Sequence, residues 1–145
     1  MDDGSSRTRI SGRIASTVAI ALTFARAVEG AAGIDPPPRA QLLRAVMAEL
    51  ERVANHLGDF GAICNDASFS LIQAHCGALR EQVLRCSHAA FGHRLMMDRV
   101  VPGGVAQDLD VAGTAGIRNL IAHIRTNLPR LVAIYDATAS LQDRT

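Results

Sequence analysis

The stretch PPPRAQLLRAVMAELERVANHLGDFGAICND, residues 36–66, decides the fold. Prolines are tolerated in the first turn of a helix but not in its interior, so this proline run predicts the start of a helix, with Asp35 as its cap. The predicted helix runs from about Pro37 to the Asn65–Asp66 region, with no proline after Pro38. The stretch therefore predicts one long helix.

One side of this helix is predicted to lie in a core. At about 100° per residue, a set of apolar side chains falls within roughly 80° of one another. They are Leu42, Val46, Leu50, Val53, Leu57, Phe60 and Cys64. Polar residues Glu49, Arg52 and His56 flank that stripe, together with Ile63, and we expect Arg44, Glu51 and Asn55 to point away from it, to water or to a partner.

Three further stretches, 13–32, 68–101 and 114–141, repeat apolar residues with helical spacing. Gly33 predicts the end of the first, the turn around Pro102-Gly103-Gly104 ends the next, and Pro129 predicts a kink or a break in the last. No segment alternates apolar and polar residues over the length of a strand. We therefore predict an all-α bundle of four to five helices as one domain over residues 10–145, after a disordered or artificially added start at residues 1–9.

Composition excludes several classes of function. The chain has 145 residues, of which 48% are hydrophobic, and a net charge of +1. All 15 basic residues are Arg, so a Schiff-base or P-loop lysine does not occur. The weak net charge and the 3% aromatic content argue against a nucleic-acid partner. The three cysteines lack a C-x-x-C spacing, and no metal site is expected. The apolar run of the first helix is too short to cross a bilayer.

Glu49, Arg52 and His56 share one helical face through spacings of three and four residues. An acid, a cation and a titratable ring could relay a proton, or they could form a structural ladder of ion pairs. Asp66 ends the same helix, where its charge opposes the helix dipole. That carboxylate needs a partner or a function, or else it caps the following helix.

Three longer phrases resemble a known family. They are PPPRAQ at 36–41, ELERVANHL at 49–57, and GHR at 92–94 together with VPGGV at 101–105. In this order they resemble the large subunit of membrane-bound [NiFe] hydrogenases and its relative, the 49-kDa subunit of complex I (NADH:quinone oxidoreductase). GDFGA at 58–62 and FGHRLMMD at 91–98 look closer to the hydrogenase-4 and formate hydrogenlyase branch.

The resemblance implies a helical core segment of an oxidoreductase subunit whose parent couples electron transfer to proton movement. It implies an iron-sulfur small subunit and membrane-arm subunits as partners, at the cytoplasmic face of a bacterial-type inner membrane. Glu49, Arg52, His56 and Asp66 would line the cavity for protons or quinone. Arg94, Pro102, Gly103 and Gly104 would form a structural loop near a subunit contact.

The departures from the family limit what this chain is expected to do alone. A nickel-binding relative carries C-G-x-C before the first helix, but residues 11–14 read SGRI. We expect no cofactor in this chain, while the parent could hold a NiFe centre, use quinone or NAD(H), and adjoin an iron-sulfur cluster of the partner. The chain is expected to be a piece of a longer subunit or a degenerate relative, inactive by itself and capable of self-association. The alternative is a non-catalytic helical interaction or assembly module with a vestigial redox cavity.

Overall fold

The computed structural model describes residues 17–145. Within this range, five helices and a short hairpin occur in this order: α1 Thr17–Ala32, α2 Pro38–Asp66, α3 Ser70–Phe91, β1 Val100–Val101, β2 Gly104–Val105, α4 Val111–Asp136 and α5 Ala139–Gln142. The predicted helical bundle is confirmed, although the fold is mostly α rather than all-α because of the hairpin. The predictions for residues 1–9 and for the SGRI stretch lie outside the described residues.

Two glycines end helices by adopting left-handed backbone conformations. Gly33, with φ of +67°, ends α1 as predicted. Gly92, with φ of +74°, ends α3 well before the predicted boundary near Val101, and its N–H donates to the carbonyl of His88 at 2.8 Å. This conformation costs glycine little. The residues from Gly92 to the hairpin therefore form a loop rather than further helix.

The other helix boundaries depend on prolines and one aspartate. Pro37 is the N-cap of α2 and no side chain caps it, so the prediction for Asp35 is wrong. Asp110 caps α4 by accepting the N–H of Gly113 at 2.6 Å. Pro129 lies inside α4, and α5 begins only after Thr138. The break in the last helical stretch thus comes after the proline rather than at it.

The core forms chiefly where α2 packs against α3. Met47, Ile72 and Phe91 are completely buried there. Gly61 permits the close approach, because a Cβ atom at this position would lie 3.1 Å from Cβ of Cys76. Burial of this apolar surface is the main stabilising contribution to the bundle.

The buried side of α2 differs from the predicted stripe. Leu50, Leu57 and Cys64 are buried as expected, and Val46, Val53 and Phe60 are half-buried, but Leu42 is 69% exposed. Arg44 and Glu51, predicted to face away, are 3% and 7% exposed. The side of α2 that carries them is covered by α1 and the hairpin, which supply polar partners. Among the helices described between residues 17 and 145, none combines the length and apolarity needed to cross a membrane.

Candidate functional site

The predicted site residues lie on the outward side of α2. We call this surface the outer α2 face and define it by Leu42, Glu49, Arg52, His56, Ile63 and Asp66. The four polar members fall within roughly 100° of one another around the helix axis, and all four are exposed. They therefore share a face, as predicted, but they project outward rather than into an inner space of this chain.

Glu49 and Arg52 form an ion pair. Oε1 of Glu49 and Nη1 of Arg52 are 2.9 Å apart, and each side chain is 60% exposed. Exposed pairs at this spacing contribute only about 0–1 kcal/mol, since water screens them. Glu49 and Arg52 thus form one of the ion pairs expected in a structural ladder, and both groups stay accessible to a partner.

His56 and Asp66 have no side-chain hydrogen bond or ion pair to any residue between 17 and 145. Asp66 does not cap the next helix, because the N-cap of α3 is Phe69 and no side chain caps that helix. The capping interpretation of Asp66 is wrong for this reason. Two groups that can carry protons are thus presented outward on one face.

A cleft of about 410 Å³ borders this surface between α1 and the start of α2. Exposed Arg26 and Glu49 line it together with buried Glu29 and Arg44. Glu49 therefore belongs both to the outer α2 face and to the wall of the cleft.

Arg44 and Glu29 form a buried ion pair that sequence reasoning missed. Nη2 of Arg44 lies 2.5 Å from Oε1 of Glu29, and Nη1 lies 3.2 Å from Oε2. Their side chains are 3% and 6% exposed. The bond from Arg44 lowers the pKa of the Glu29 carboxyl below its ordinary value, and the N–H of Gly103 also lowers it. The Glu29 carboxylate is therefore charged at neutral pH.

The same pair fastens the hairpin to the helices. Arg44 donates to the carbonyls of Val101 at 2.7 Å and Gly104 at 3.0 Å, while Gly103 donates its N–H to Glu29 at 2.7 Å. Gly103 has φ of +84°, which suits glycine after Pro102 in the turn. Pro102, Gly103 and Gly104 thus form an ordered structural loop, while its role at a subunit contact stays a prediction.

Glu51 holds the start of α1. Its carboxylate accepts the N–H groups of Thr17 and Val18, each at 2.8 Å. The first N–H groups of a helix have no partner within the helix, and a carboxylate there also interacts well with the helix dipole. Glu51 is therefore a structural residue, and the exposed glutamate of this helix segment is Glu49.

Arg94, the other predicted loop residue, is anchored to α3. Its Nη2 lies 2.6 Å from Oε2 of Glu81, and Nε of Arg85 lies 2.9 Å from Oε1. These two guanidinium groups lower the pKa of Glu81 to about 2. Arg94 lies just beyond the end of α3 at Phe91, so these contacts attach the following loop to the helix.

No sulfur or carboxylate cluster suggests a metal centre in the described part of the chain. Cys64, Cys76 and Cys86 are free thiols, and burial raises the pKa of each. Residues 17–145 contain no group of three or more His, Cys, Asp or Glu side chains placed to hold a metal ion.

Comparison with known proteins finds relatives in the family that the sequence phrases resemble. Residues 68–145 match the family described as the 49-kDa subunit of respiratory-chain NADH dehydrogenase. The membrane-bound hydrogenase subunit alpha of Pyrococcus furiosus is 34% identical over 125 residues, covering 83% of this chain and 29% of that protein. Formate hydrogenlyase subunit 5 of Escherichia coli is 29% identical over 122 residues, 84% of this chain and 21% of that protein.

A relative from the quinone-linked branch matches as well. One NADH-quinone oxidoreductase subunit of Legionella pneumophila is 36% identical over 86 residues, which cover 59% of this chain and 21% of that protein. The chain thus spans between a fifth and a third of the length of these relatives. Both branches expected from the sequence phrases are represented.

Proposed function

Because the chain belongs to the family of the 49-kDa subunit of respiratory-chain NADH dehydrogenase, we propose that it supplies a helical core segment to the large subunit of a membrane-associated oxidoreductase. Its relatives are named as hydrogenase and NADH-quinone oxidoreductase subunits. The proposed parent transfers electrons in a reaction coupled to proton movement. The segment alone is proposed to be inactive, since the redox groups belong to the parent and its partners.

The main observation that supports this proposal is the composition of the outer α2 face. It combines exposed apolar side chains, with Leu42 at 69% and Ile63 at 50% exposure, with four charged or titratable groups. An apolar and polar mixture of this kind is typical of surfaces that contact another protein. We assign the face to the contact with an iron-sulfur small subunit.

Within that contact, His56 and Asp66 are proposed to respond to protons. An imidazole and a carboxylate are both side chains that can accept or donate a proton in a contact between proteins. The ion pair of Glu49 and Arg52 would then keep one negative and one positive charge on the same face as His56 and Asp66. Docking would remove these groups from water, which strengthens their mutual electrostatic interaction.

The remaining proposals follow from the relatives. The parent is proposed to lie peripherally on the cytoplasmic face of an inner membrane, against membrane-arm subunits. A NiFe centre, quinone or NAD(H) would belong to the parent reaction, and an iron-sulfur cluster to the partner subunit. This chain would contribute the helical wall beside them.

The test is the double variant His56→Ala/Asp66→Ala in the assembled parent complex, with assembly and turnover per assembled complex measured separately. A matched control, His123→Ala/Asp136→Ala, removes the same residue types from exposed positions on α4. We expect the α2 variant to lose turnover while the complex still assembles. Loss of assembly with full turnover would instead favour the interaction module with a vestigial cavity.

The proposed inactivity of the separate chain has its own test. The purified 145-residue protein is titrated with nickel and with a quinone analogue by calorimetry. We expect no stoichiometric binding of either compound. Tight binding at one equivalent would show that the chain carries a complete site, contrary to the proposal.

A further inference from the structure

We propose that a single water molecule is bound between α2 and α3, where it bridges the hydroxyl of Ser87 and the side-chain amide of Asn55. This hydration site lies at the contact between α2 and α3, and none of the residues that define the outer α2 face lines it. It is independent of the outer α2 face and of the proposed redox function.

Ser87 supplies the first observation. Its side chain is completely buried, and its Oγ has no hydrogen-bond partner among residues 17–145. A hydroxyl removed from water without a replacement partner is destabilising, and buried polar groups nearly always have one. A bound solvent molecule would satisfy this hydroxyl.

The second observation is a cavity of about 10 Å³ beside Ser87. This volume is at the lower limit for one water, which needs roughly 10–15 Å³ and two to four polar partners. The polar side chains that line it are Glu51, Asn55, Arg80 and Arg94, with Ser87 opposite α2. An apolar cavity of this size would stay dry, whereas this lining can hold a water.

Asn55 is the partner that the bridge requires on α2. It is half-buried, and its amide makes no hydrogen bond to another described residue. An amide offers both donors and an acceptor, and a hydroxyl offers one donor and two acceptors. One water can therefore donate to one of these groups and accept from the other, so that both are satisfied.

The sign of the stability change in Ser87→Ala tests the proposal. If the cavity holds no water, the variant removes an unsatisfied hydroxyl and raises the Tm. If the bridge exists, the variant removes an anchor of the bound water, and we expect the Tm to fall by roughly 2–5 °C. Ala89→Ser, an exposed position on the same helix, measures the helix-propensity difference between serine and alanine for correction.

A double-mutant cycle with Asn55→Ala then tests the bridge itself. Two groups joined by one water are coupled, so we expect the Tm loss of the double variant to be clearly smaller than the sum of the single losses. The pair Ser87→Ala and Asn65→Ala serves as the additive control, because Asn65 does not line the cavity beside Ser87. A corrected rise in Tm for Ser87→Ala, or additive losses in the cycle, overturns the proposal.

Nuclear magnetic resonance gives a readout independent of stability. We expect rotating-frame Overhauser cross-peaks between water and the protons of Ser87 and the Asn55 amide in the wild-type chain. These cross-peaks should disappear from Asn55 in Ser87→Ala, although Asn55 itself is unchanged. Their absence from the wild-type spectrum also overturns the proposal.

Discussion

Replacing Glu51 by alanine removes the carboxylate that holds the first turn of α1. It accepts two backbone N–H groups, each at 2.8 Å, and the residue that carries one of them, Val18, is 1% exposed. Losing a capping side chain costs about 0.5–2 kcal/mol, and leaving a buried N–H without a partner costs about 1–3 kcal/mol. We therefore expect Glu51→Ala to lower the free energy of unfolding by about 3 kcal/mol.

Glu49→Ala is the matched control, because it removes the same side chain two positions earlier on the same helix. Glu49 is 60% exposed and paired only at the surface, so its loss should change stability by less than about 1 kcal/mol. Urea unfolding of the 145-residue chain, followed by circular dichroism, measures both variants. Hydrogen exchange should also show faster exchange of the Val18 amide in Glu51→Ala. Equal destabilisation by the two variants would refute the assignment of Glu51 as a cap.

Glu81→Gln is expected to weaken the acid sensitivity of the fold. With its pKa lowered to about 2, Glu81 contributes stability that is present above its ordinary pKa of 4.5 and is lost as pH falls towards 2. Wild-type and variant stabilities should therefore converge between about pH 5 and 2; a constant difference would contradict this. Gly61→Ala should cost about 1–3 kcal/mol because its Cβ meets Cys76 at 3.1 Å. Gly77→Ala, on the facing helix α3, meets nothing within 4 Å and should instead stabilise the chain by about 0.5–1 kcal/mol; equal effects in thermal unfolding would refute the close approach.

Local signals were sufficient to predict where most helices lie. The prolines at 36–38 and the glycine at 33 act on the backbone of their own segment, so their effect is readable from neighbouring residues. The end of α3 was misplaced because apolar residues continue past Gly92, which made the helical pattern look unbroken. The glycine itself was the signal that could have located this boundary.

The buried charges could not be predicted in the same way. A hydrophobic pattern treats Arg44 and Glu51 as surface residues, because burying an unpaired charge is very costly. Their partners come from α1 and from the hairpin, with Glu29 fifteen residues from Arg44 in sequence. Burial becomes possible only when the tertiary fold supplies these partners. The missed residues are thus the ones whose environment is set by distant segments.

The prediction for the outer α2 face depended on a similar ambiguity. Helix α2 has apolar residues on two sides: Leu50 and Leu57 pack inside the bundle, while Leu42 and Ile63 remain exposed. Helical periodicity shows that a side is apolar but does not show what covers it. Because Leu42 lies outside the core, it marks the second apolar side of α2, which no other described helix covers. Since the polar candidates lie on that side, their proposed role depends on contact with another protein rather than on a cavity within this chain.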